Sequence, residues 1–200
     1  MPKRGSLHLP ELPAPRAGVS LSKIDAARRQ LETAILLYFR DGDAVSIHTL
    51  AAAAHEILAA VNRKRGSEPM ISDMVLEGIK LEYRDAFNDR VKEAQNFFKH
   101  GSRDPFATLT GFSTRQSEVL LIDACLAYGR ITEDRPPVTR LFALWARLTF
   151  AKEWLSFPDE SVLTTDPEMA AELAAMSKGN FFDRMLQAVY HADRWRLPAQ

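Results

Sequence analysis

Large apolar residues in this chain recur three and four positions apart, and no secure stretch alternates apolar with polar side chains as a half-buried strand would. That spacing predicts an all-α protein, a bundle of about six or seven helices behind a disordered N-terminal tail. Ser22, three residues before Asp25, has the pattern of a helix N-cap. Ile24, Leu31, Ile35 and Tyr38 follow at helical spacing, and Asp41-Gly42-Asp43 ends the first helix. Ser46 is the expected cap of the second, which carries Ile47, Leu50, Ala54, Ile57, Leu58 and Val61 on one stripe. Arg63, Lys64 and Arg65 before Gly66 suit its negative end. The run Ala51 to Ala54 keeps this helix thin, so residues 22–66 are expected to fold as an antiparallel hairpin.

A third helix is predicted from Ser72 to Lys99, with Val75, Ile79, Tyr83, Phe87, Val91, Ala94 and Phe98 on one face. Gly101 to Pro105 stops it, and residues 106–112 read as a loop or at most one short strand. Ser113 with Gln116 has the form of a capping box for a fourth helix, Val119 to Tyr128, which is apolar on almost every side. Pro136-Pro137 opens a fifth, carrying Val138, Leu141, Phe142, Trp145, Leu148 and Leu155, and Phe157-Pro158 closes it. Asp166-Pro167 opens a sixth that ends at Lys178-Gly179, and Asn180 with Asp183 caps a seventh running toward Trp195. Residues 1–20, with Pro2, Pro10, Pro13 and Pro15, are the expected flexible tail. Residues 21–200 form one helical domain, divided into a main body at 21–160 and a C-terminal helical pair at 161–200.

Composition narrows the functional classes. Twenty-six basic and 26 acidic residues cancel, and the excess along the chain swings only from plus four in residues 1–66 to minus three in residues 151–200. A chain so evenly neutral has no strong field to draw it onto nucleic acid or anionic lipid. No apolar run approaches the roughly 18 uncharged residues of a membrane span, so no membrane partner is expected. Cys125 stands alone, which excludes intramolecular disulfides and Cys-rich zinc sites and suits a cytoplasmic location. Glycine-rich phosphate loops, Gly-x-Ser-x-Gly and His-Glu-x-x-His are all missing, and no cofactor is expected.

The most anomalous residue is Asp123, which falls inside the apolar sector of the fourth helix. A carboxylate buried there needs a partner, and His48, His55, Lys99, His100 and Arg103 are the candidates. His48 and His55 lie seven apart, on the same face of one helix but roughly 10 Å from each other, too far to share one metal ion. Boundary histidines bonded to a neighbouring helix are the favoured reading, and no metal ligand is assigned. The tract Asn96 to Pro105 presents Lys99, His100 and Arg103 at a helix end, where loops tend to carry function.

Arg184 and His191 on the last helix match the Arg-x(4 to 6)-His spacing of HEPN-type helical ribonucleases, which the chain resembles in that respect. The resemblance implies a metal-independent RNA cleavage, with Arg184 stabilising phosphate and His191 moving a proton. Met185 departs from the polar residue common after that arginine. Ile24 to Leu58, with its Val45-Ser46-Ile47-His48-Thr49-Leu50 segment, and Asn96 to Pro105 are similar to a family of short bacterial hypothetical proteins. That resemblance implies a shared body over residues 22–130 and carries no activity; Gly101-Ser102 departs from a more acidic tract. Eleven Phe and three Trp are more than a minimal bundle needs. The leading expectation is therefore a helical interaction or regulatory protein, a homo-oligomer or the partner of another protein, associating through an aromatic face of the later helices. The ribonuclease, or a small-molecule or metal pocket around Asp123, His55 and His100, is the alternative.

Overall fold

The computed structural model describes residues 18–102, 104–150 and 166–194; from 190 to 194 it describes the backbone alone. Among the described residues there are eight α-helices and no strand. They are α1 (Lys23–Phe39), α2 (Ala44–Arg65), α3 (Ile71–Gly78), α4 (Arg84–Lys99), α5 (Thr114–Thr132), α6 (Pro137–Leu148), α7 (Pro167–Ala174) and α8 (Lys178–Arg194). The expected tail falls on residues mostly outside the described ones, and so do Leu155, Phe157-Pro158 and Trp195.

The hairpin forms as the spacing predicts. Ser22 and Asp25 make a reciprocal capping box, the Ser22 hydroxyl accepting from the Asp25 amide at 3.0 Å and the carboxylate accepting from the Ser22 amide at 3.0 Å. The cap of α2 is Asp43 instead of Ser46: its carboxylate accepts the Ser46 amide at 2.7 Å, so the helix starts a turn earlier than the serine suggested. Gly66 closes α2 at φ 65°, a left-handed position that glycine takes without steric cost. Ala51 and Ala54 are fully buried, and their small side chains let α1 and α5 lie close to α2. By length and composition α2 is the one described helix that could cross a membrane; here it packs between α1 and α5.

The single long third helix is a correction. It is two helices, α3 and α4, broken by extended backbone at Ile79 (ψ 134°) and a 3-10 turn at Leu81–Tyr83. Gly78 is the weakest helix former in the stretch, and Arg84 stabilises the break by donating to the Ile79 and Glu77 carbonyls at 2.9 and 3.0 Å. Val75, Ile79, Tyr83 and Phe87 stand four apart across the break, so their spacing hides it. The capping box at α5 is also corrected. Ser113 accepts from the Arg115 amide at 3.3 Å, while Gln116 leaves its side-chain oxygen buried and without a partner. Lys178-Gly179 begins α8 instead of ending α7, because the Ser177 hydroxyl and carbonyl accept the Asn180 and Phe181 amides.

The helices α1, α2, α5 and α6 pack around one another, and α8 lies over α6 and the end of α1. Phe39 is the meeting point. It stacks on Phe182 with ring centroids 4.7 Å apart and lies edge-on to Phe142 and Trp145. Phe39, Phe142, Phe181 and Phe182 are almost wholly buried, so these aromatic side chains of α1, α6 and α8 fill the core. The C-terminal pair contributes Leu173, Phe181 and Phe182 to the same core as α1 and α2.

Candidate functional site

Helices α2 and α5 run side by side in the same direction, since His48 faces Ser117, His55 faces Asp123 and Arg65 reaches the Ile131 carbonyl. The two histidines are therefore stations on one seam, and each also touches the segment that crosses outside it. Asp123, 1% exposed, receives the His55 Nε2–H on Oδ2 at 2.8 Å. The same carboxylate accepts the Ile71 amide at 2.9 Å and the Ser72 amide at 3.1 Å, the first free N–H groups of α3. Met70 at the N-cap has no oxygen in its side chain, so α5 supplies the cap from across the fold. Burial pushes the Asp123 carboxyl up, but the His55 hydrogen bond and charge, the Ser72 side chain and the Ile71 amide outweigh it and hold it below the usual carboxylate value.

Ser72, His55 and Asp123 superficially resemble a hydrolytic triad. However, the Ser72 hydroxyl lies 3.3 Å from the same His55 Nε2 that Asp123 occupies. A relay needs the hydroxyl and the carboxylate on opposite ring nitrogens, so this set cannot pass a proton from serine to histidine. Its chemistry is that of an anchor.

His48 is fully buried, with Nδ1 3.1 Å from the Ser117 hydroxyl. Phe98 from α4 and Phe112 from the following loop pack on it in T-shaped arrangements, with ring centroids 5.7 and 5.1 Å away. Nε2 has no hydrogen-bond partner, a deficit costing about 1–3 kcal/mol. Burial lowers the pKa of the ring and keeps it neutral.

Among the described candidates, Lys99, His100 and Arg184 do not join Asp123. Lys99 Nζ pairs with Glu56 at 3.1 Å, beside the Gln95 amide that donates to the same oxygen. His100 is exposed at the end of α4, and Arg103 lies outside the described residues. Arg184 pairs with Glu172 at 2.5 Å on the surface, and the side chain of His191 is outside the described ones. Among the described residues no group of three His, Cys, Asp or Glu side chains is placed to hold a metal ion. Cys125 is buried, and burial raises its thiol pKa well above the ordinary value.

A second polar cluster went unread in the sequence. The Tyr38 hydroxyl donates to Glu118 at 2.8 Å and accepts from Trp145 Nε1 at 3.1 Å, while Arg115 pairs with Glu118 at 2.9 Å. Burial and the Glu118 charge push the Tyr38 hydroxyl up, so it stays a neutral donor. Glu118 beside Arg115 at i−3 looks like an ordinary surface pair, and Tyr38 reads as core; only the fold joins them.

Comparison with known proteins decides nothing further. No family model, curated protein or solved structure matches the chain. The reading of the site rests on its geometry.

Proposed function

We propose that this chain is a helical interaction protein that associates with a second copy of itself through the arm made by α3, the 3-10 turn and α4. The observation that carries the reading is the exposure of that arm. Helix α3 has no buried residue and α4 only Ala94. Met74, Val75, Leu81, Tyr83 and Val91 are exposed on it, and Phe106 beyond α4 is 97% exposed. These six are half of the twelve large apolar residues exposed among the described ones, gathered within 33 positions of sequence. Such a concentration is the usual mark of a contact surface.

The charges around these side chains favour a second copy as the occupant. Glu77, Lys80, Glu82, Asp85, Asp89 and Lys92 mix both signs along the arm. A surface of one sign repels its own two-fold copy, whereas a mixed one can pair with it. A cytoplasmic location and a body shared with bacterial relatives belong to the same proposal. The placement of Arg184 against Glu172 lends nothing to the ribonuclease alternative.

Size-exclusion chromatography with light scattering tests the reading. Wild type is expected to be a concentration-dependent dimer, and Leu81→Glu with Tyr83→Ser a monomer with unchanged helical circular dichroism. Monomeric wild type at every concentration, or an unchanged dimer in the double variant, overturns it.

A further inference from the structure

Lys99 and Gln95 tie α4 to Glu56 of α2, Arg63 pairs with Asp73, and two further contacts of the arm with the body centre on a buried histidine or carboxylate. At its start, α3 is capped by Asp123, which His55 also binds. At its end, Phe98 and Phe112 close over His48. We propose that His48 is an acid-sensitive clasp, whose protonation frees the end of α4 and the Phe112 segment while α3 stays anchored at Asp123. The consequence, regulation of the association surface, rests on the function proposed above; the clasp itself does not.

The geometry supplies the argument. A charged His48 ring would carry two N–H donors, and one of them, Nε2, has no acceptor in the closed arrangement. Among the described residues no carboxylate bonds the His48 ring. On α2, Glu56 is taken by Lys99 and Gln95, and His55 by Asp123. From α5 the ring meets the neutral Ser117, and the adjacent Glu118 is committed to Tyr38 and Arg115. From α4 it meets Phe98, whose neighbour Lys99 would repel the charge and whose next neighbour His100 is exposed. The loop contributes Phe112, an apolar ring that brings no negative charge to balance a cation. Water is the alternative host for the charge, and opening the clasp admits it. At the other anchor, the Asp123 carboxylate accepts the His55 ring and the Ile71 and Ser72 amides, so these donors at the α3 end have their acceptor and it holds.

Linkage gives the direction. The open form binds the proton at the ordinary imidazole value of about 6.5 and the closed form binds it only below that. Between the two values the open-to-closed ratio rises up to about tenfold for each unit of pH lost. Hydrogen exchange of wild type, corrected for the intrinsic pH dependence of each amide, reads this directly. From pH 7.5 to 5, exchange at residues 94–99 is expected to rise while the Ile71 and Ser72 amides keep their protection. His48→Gln, which cannot titrate, should flatten the rise. An NMR titration of the His48 ring in wild type is a second measure that needs no variant, and its midpoint should lie below 6.5 and track the exchange. Exchange at 94–99 that ignores pH, a rise that persists in His48→Gln, or a ring that titrates at its ordinary value in the closed state overturns the proposal.

Discussion

Asp123 shows how one side chain serves two neighbours. Its two oxygens take a ring N–H and two backbone amides, so the carboxylate is satisfied on both sides despite being buried. An amide in its place offers one accepting oxygen and two unwanted donors. Asp123→Asn is therefore expected to cost about 2 kcal/mol in urea unfolding at neutral pH. The pH dependence has a definite sign. Because the folded carboxyl is held below its ordinary value, its contribution is complete above the unfolded value of about 3.9 and is lost as pH falls through the folded one. Asp123→Asn should remove that part of the acid limb, and an unchanged limb would mean that Asp123 is not held as described. The anomaly itself was legible, since the helical angle places Asp123 among apolar neighbours. Of the partners considered, His55 was among them, while the α3 amides were not, because a cap from a helix some fifty residues away leaves no local pattern.

At the scale of elements, the ends of helices were read less well than their faces. The stripes on α1, α2 and α5 depend on one angular period and survive an error of one turn. A cap depends on a single hydrogen bond, and Asp43 and Ser46 offer the same chemistry three residues apart. Asp43→Ala is expected to destabilise the protein by about 1 kcal/mol and Ser46→Ala by a few tenths, measured by thermal or chemical unfolding. Equal losses in the two variants would return the cap to Ser46. The break between α3 and α4 is a related case. The four-residue spacing argued against it, and the Arg84 contacts that stabilise it involve carbonyls no pattern exposes.

At the scale of the whole molecule, the aromatic residues changed their role. Their number suggested an outer face, yet Phe39, Phe142, Phe181 and Phe182 converge from α1, α6 and α8 into one cluster. Phe39 touches rings on three helices, so Phe39→Ala should cost about 3–5 kcal/mol. It should also loosen α8 before the α1–α2 hairpin, because Ala cannot span the gap to Phe181 and Phe182. Hydrogen exchange across α8 compared with α2 measures the order, and equal loosening of both would show that the cluster is not what docks α8.

The all-α class, the N-terminal hairpin and most of the apolar faces follow from residue spacing, because helical geometry repeats every few residues and writes itself into local sequence. The choice among the partners of Asp123, the packing around His48, the Tyr38–Glu118 bond and the burial of these aromatics were decided by tertiary structure alone. Each joins residues 50 or more positions apart, or depends on which face another helix covers, and neither leaves a periodic trace in the chain.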